Sequence, residues 1–155
     1  MPNTVNMKEM LIDINTATTN AIIATTGIAQ TNCSCKKCVS MCKTAPCIGT
    51  PLEMEAIMNA GFGDNLIKTT IAAPIVKETL GIPFITILGI KFDNKKKRCS
   101  MLDGDNKCTL HNFGLKPSEG KLADCKRTHA VEGKPSPLQA ILMIWNQFNT
   151  VNKLN

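Results

Sequence analysis

The residues with the most chemistry to offer are the cysteines. Eight occur in a chain of 155 residues. Five fall within fifteen positions: Cys33, Cys35, Cys38, Cys42 and Cys47. Cys99, Cys108 and Cys125 follow far downstream. Small disulfide-bonded proteins spread their cysteines to close loops. A tight cluster instead suits ligands that converge on one or two ions. Thiolate is a soft ligand, so grouped cysteines select zinc, iron–sulfur or copper(I) over calcium and magnesium.

The spacings sharpen this. Cys35-x2-Cys38 is the knuckle that lets two sulfurs reach one ion, and Cys38 and Cys42 are one helical turn apart. Cys33 stands only two residues before Cys35, which is close for both to bind one ion, and a buried apolar role suits it as well. Zinc ribbons carry two CxxC knuckles and this chain has one, so the spare, irregularly spaced sulfurs favour a cluster or two-metal site over a single zinc. His111, three residues after Cys108, and His129, four after Cys125, are candidate nitrogen ligands.

Other motifs are weaker. Asp103-Gly104-Asp105-Asn106 has carboxylates but lacks the twelve-residue calcium frame and its closing Glu, so it reads as a turn. Lys95-Lys96-Lys97-Arg98 is a charge run in a hairpin turn with no aromatic interleaved for base stacking. No phosphate-binding glycine loop, HExxH or GxSxG is present. The formal net charge is +6, with cysteines counted as neutral. Eight metal-bound thiolates and two divalent ions would bring it to about +2, so the charge argues little for nucleic acid.

The elements that must position these residues are partly legible. Residues 1–13 suggest a short helix, and the Thr-, Asn- and Ala-rich stretch after it suggests an irregular lead-in reaching residue 32. Residues 33–49 have no hydrophobic periodicity, so their order is expected to come from metal. Thr50-Pro51-Leu52-Glu53 fits a capping box with Pro at the first helical position, and Gly61 stops the helix that follows. A helical turn is expected near 65–68, then strands near 71–76 and 84–92, broken by Pro74, Gly81 and Pro83. Strands at 98–102 and 107–111 would complete a short antiparallel meander and set Cys99 and Cys108 near each other. Pro117 to Gly120 leads into a helical turn carrying Cys125. Ser136-Pro137 opens a last helix whose run Ala140 to Trp145 is apolar on all sides.

At these residues the chain resembles the YkgJ-like cysteine-cluster proteins, a family of zinc- or iron-chelating bacterial domains. The resemblance is carried by CSCKKCVSMCKTAPC (33–47), GTPLEMEAIMNAGF (49–62) and CSMLDGDNKCTLHNFGLKPSEGKLADC (99–125). The commonest family pattern has adjacent cysteines late in the first cluster, and here Cys42 and Cys47 are separated. The resemblance implies metal binding by Cys35, Cys38, Cys42, Cys47, Cys99, Cys108 and Cys125 as a set, with Cys33 and His111 as secondary candidates. The flagellin lysine methylases share the cluster but are much longer, so methyl transfer does not carry over.

The expected fold is α+β: a small irregular domain in which a metal-ordered cysteine loop, a short antiparallel meander and a few helices share one core. Residues 1–32 would be a lead-in and 33–155 the metal-binding domain. The expected function is transition-metal binding, by zinc, iron or an iron–sulfur cluster. Two alternatives are an iron–sulfur enzyme with an open coordination position and a zinc-stabilised module binding nucleic acid or protein. With no basic n-region or long apolar segment evident, a cytoplasmic location is expected, without membrane contact. Self-association through residues 138–151 is the remaining partner expectation.

Overall fold

The computed structural model describes residues 4–30, 46–105, 107–122 and 131–152. In chain order the described elements are α1 (Thr4–Thr26), α2 (Pro51–Ile57), β1 (Leu66–Ile71), α3 (Pro74–Leu80), β2 (Ile85–Ile90), β3 (Phe92–Asp93), β4 (Arg98–Cys99), α4 (Thr109–Asn112), α5 (Ser118–Leu122) and α6 (Pro137–Asn152). Helices and small antiparallel sheets share one hydrophobic core, so the architecture is α+β as expected.

Helix α1 runs well past the short helix expected at 1–13. Threonine is a poor helix former, partly because its hydroxyl competes for backbone groups. Here the hydroxyls of Thr18, Thr19, Thr25 and Thr26 donate back to the carbonyls of Ile14, Asn15, Ala21 and Ile22, at 2.8–3.0 Å. That bonding occupies them within the helix, and Asn15, Thr19 and Ile22 are buried. Ile22 and Ile28, in the stretch expected to be an irregular lead-in, are thus core residues.

Helix α2 begins as the sequence predicts. The Thr50 hydroxyl accepts from the Glu53 N–H at 3.2 Å, and the Glu53 carboxylate accepts from the Thr50 N–H at 2.9 Å. After Ile57 the helix widens through one π-type turn, Met58–Phe62, and Gly61 ends it at φ 100°. A single 3-10 turn, Gly63–Asn65, leads into β1.

Strands β1 and β2 pair antiparallel from Leu66↔Ile90 to Ile71↔Ile85. The strand expected at 71–76 thus lies earlier, and Pro74 opens helix α3 instead of interrupting a strand. Gly81 closes α3, its N–H donating to Lys77 O at 2.9 Å. The expected meander is also shorter than anticipated. Strands β3 and β4 form a separate two-residue ladder, and the strand expected at 107–111 is reduced to one bridge, Leu102↔Cys108, before α4 turns away.

The last helix starts with a second reciprocal cap. Ser136 Oγ accepts from the Gln139 N–H at 3.1 Å, and Gln139 Oε1 accepts from the Ser136 N–H at 3.0 Å. Ala140, Ile141, Leu142 and Trp145 are buried, whereas Met143 and Ile144 are exposed. The apolar run is thus covered on one side only. No helix among the described residues is long and apolar enough to cross a membrane.

Candidate metal centre

The cysteine segment meets the rest of the fold at Pro46–Thr50. Three contacts hold it. The Ile48 N–H donates to Glu119 Oε1 at 2.7 Å. The Trp145 indole N–H donates to Gly49 O at 2.7 Å. Thr50 is the helix cap of α2. The chain just after the cysteine cluster is thereby fastened to α5, α6 and α2 at once.

Cys47 is partly buried against α5. A Cβ placed on Gly120 would lie 3.1 Å from Cys47 Sγ and 2.8 Å from Lys116 Cε. Glycine at 120 is what leaves space for the sulfur on this side of the helix. Cys125 follows five residues later in the same stretch of chain. A thiolate at Cys47 would be a soft donor, of the kind zinc and iron accept.

Beneath this junction is a buried polar cluster that the sequence does not announce. Glu53 is fully buried. Its Oε2 accepts from the Ser118 N–H at 2.8 Å, the Ser118 hydroxyl at 2.7 Å and the Asn15 side-chain amide at 3.4 Å. Lys121 donates to Thr19 Oγ1 at 3.1 Å and also to Asn15 Oδ1. Thr19 and Ser118 hydroxyls lie 3.0 Å apart. The cluster ties α1, α2 and α5 together and sets the position of α5 under Cys47.

Burial pushes the Glu53 carboxyl above its ordinary range, while hydrogen bonds from Thr50 and Ser118 and the charge of Lys121 pull it down. Burial likewise raises Glu119, opposed by the Ile48 N–H. Burial lowers Lys121, opposed by the charge of Glu53. The capping-box spacing reveals the contact of Glu53 with Thr50. No local signal reveals its partnership with Ser118, because 65 residues separate them.

The other predicted ligands divide clearly. Cys99 is buried on β4 within the hydrophobic core, and Cys108 packs against that core at the neighbouring bridge. Cys99 pairs with Phe92, and Cys108 with Leu102, so the two do not face each other in one hairpin ladder. No disulfide joins Cys47, Cys99 and Cys108 to one another. His111 is exposed on α4. Cys33, Cys35, Cys38, Cys42, Cys125 and His129 lie outside the described residues. Among the described residues, no three His, Cys, Asp or Glu side chains gather closely enough to hold a metal ion.

The two acidic turns serve the backbone. Asp103 Oδ1 accepts from the N–H groups of Asp105 and Lys107, at 2.8 and 3.0 Å. Asp93 Oδ1 accepts from those of Lys95 and Lys96, at 3.0 and 3.1 Å, which shapes the basic run into a turn. These bonds lower both carboxyls, the Lys107 N–H leading for Asp103 and the Lys96 N–H for Asp93.

No family model, curated protein or solved structure matches this chain.

Proposed function

We propose that this protein binds zinc or iron through clustered cysteine thiolates, as a member of the YkgJ-like group that its cysteine segments resemble. The donor set is Cys35, Cys38, Cys42, Cys47, Cys99, Cys108 and Cys125, as the resemblance implies. One observation carries most of the weight: the Cys47 thiol sits against the glycine of α5, in the segment that runs on to Cys125. The metal holds the cysteine loop, which has little apolar sequence of its own to oppose chain entropy.

Elemental analysis of anaerobically purified protein tests this, together with an absorption spectrum. At least one equivalent of zinc or iron per chain is expected. Less than half an equivalent of either defeats the proposal. Colour then decides the chemistry: a brown sample with visible charge-transfer bands holds an iron–sulfur cluster, and a colourless loaded sample holds zinc. Serine substitutions separate ligands from packing cysteines. Cys47→Ser and Cys125→Ser should lower the metal content, whereas a cysteine that only fills the core affects stability without changing stoichiometry.

A further inference from the structure

A cavity of about 300 Å³ opens between α2, α6 and one face of the β1–β2 pair. Its apolar side-chain walls are Pro51, Met58, Leu88, Trp145 and Phe148. Met58 remains 48% exposed and Phe148 37%, so the walls leave hydrocarbon facing solvent. The volume lies at the lower end of the range of small-ligand pockets. The indole N–H of Trp145 is already committed to Gly49 O. The Asn149 side-chain amide donates to Thr86 O at 2.8 Å.

The charged groups stand at two of the walls. Lys68 is opposite Leu88 in the ladder, and Thr86 is two residues before Leu88, so all three project from one face of the sheet. Thr86 Oγ1 lies 3.3 Å from Thr70 Oγ1 across the ladder and is engaged there, so the Lys68 ammonium is the donor this wall offers to an acceptor. Glu55, on α2, also lines the cavity and disfavours an anion on its own side. A hydrocarbon interior with a cationic donor on one wall suits a negatively charged amphiphile.

We propose that this cavity binds a medium-chain aliphatic carboxylate. The chain lies along Trp145, Phe148 and Met58, and the carboxylate is held at the sheet wall by Lys68. The site uses no cysteine and stands independently of the metal reading.

Trp145 is the only tryptophan and the chain has no tyrosine, so its emission reports on the cavity directly. The intact protein is titrated with decanoate, decylamine and decanol, each below its micelle concentration. Decanoate should give a saturable change in Trp145 emission and bind several-fold more tightly than the other two. Lys68→Gln should weaken decanoate binding roughly two- to fivefold, the worth of one exposed ion pair. Glu55→Gln should strengthen it by a similar factor, and Met58→Glu should abolish it. No saturable change, equal binding of all three amphiphiles, or charge variants of the opposite sign overturns the proposal. Should Met58→Glu fail to fold, calorimetry on the Lys68 and Glu55 variants decides alone, because both positions are exposed.

Discussion

Glu53 has no exposure to solvent and four donors aimed at its carboxylate: two N–H groups, one hydroxyl and one amide. A buried charge survives only with such company. Truncating it strands those donors and leaves Lys121 without its nearest compensating charge. Glu53→Ala should therefore cost about 3 kcal/mol or more, given about 1–3 kcal/mol per abandoned buried polar group. Urea denaturation in chelator measures it, and a loss under 1 kcal/mol would show that the cluster is idle. The pH dependence has a definite sign. Glu53 has a folded pKa above its ordinary 4.5, so its contribution is complete below that pH and is lost as pH rises through the raised value. Asp103 runs the other way: lowered from 3.8, its contribution is present above that pH and disappears as pH falls through the lower value. Between pH 4.5 and 7, metal-free wild type should lose thermal stability relative to Glu53→Gln, which carries no proton to release. Parallel melting curves at each pH would refute the raised value. The sequence disclosed half of this residue. Its spacing from Thr50 is a local signal, whereas Ser118 reaches it only through the tertiary fold.

The helices show where element-level reading succeeds and where it stops. Both reciprocal caps, Thr50 with Glu53 and Ser136 with Gln139, were marked by Ser or Thr followed by Pro. Helix α3 carried Pro74 at its first turn and Gly81 at its end but has Ala73 where a capping Ser or Thr would stand, and seven residues rich in β-branched side chains resemble a strand. Packing against α6 decided the matter. Helix α1 was obscured by threonine, whose low propensity is offset here by hydroxyls bonded within the helix. Helix α5 is placed by close approach. Alanine at Gly120 would meet the flexible end of Lys116 at 2.8 Å, which can swing aside, and Cys47 Sγ at 3.1 Å, which must give by a few tenths of an ångström. Gly120→Ala should cost about 1 kcal/mol without metal, at the lower end for overpacking. With metal it should also weaken affinity roughly tenfold, equivalent to about 1.4 kcal/mol. Chelator competition measures the second effect, and unchanged affinity would separate Cys47 from the metal.

At the scale of the molecule, the described core does not depend on the cysteine loop for its continuity. Ile22 of α1, Met54 and Ile57 of α2, Ile85 and Ile87 of β2 and Ile141 of α6 belong to one buried cluster. The loop's exit is held by Glu119, Trp145 and the Thr50 cap, none of which is a thiol. On the proposed reading these bonds hold the loop's exit independently of the thiols, unlike a zinc finger that is unfolded without metal. Metal removal should lower stability without abolishing the fold. At free metal a thousandfold above its dissociation constant, the linkage contribution is about 4 kcal/mol. For a chain of this size that corresponds to a fall of roughly 8–16 °C in Tm on chelation. The metal-free protein should keep its far-ultraviolet helical signal and a cooperative transition. Hydrogen exchange should quicken first at the amides of Cys47 to Gly49 and in α5, while β2 and the middle of α6 stay protected. Loss of the helical signal at room temperature in chelator would show instead that the ion organises the whole molecule, and that the bonds from Glu119 and Trp145 follow from metal binding rather than prepare for it.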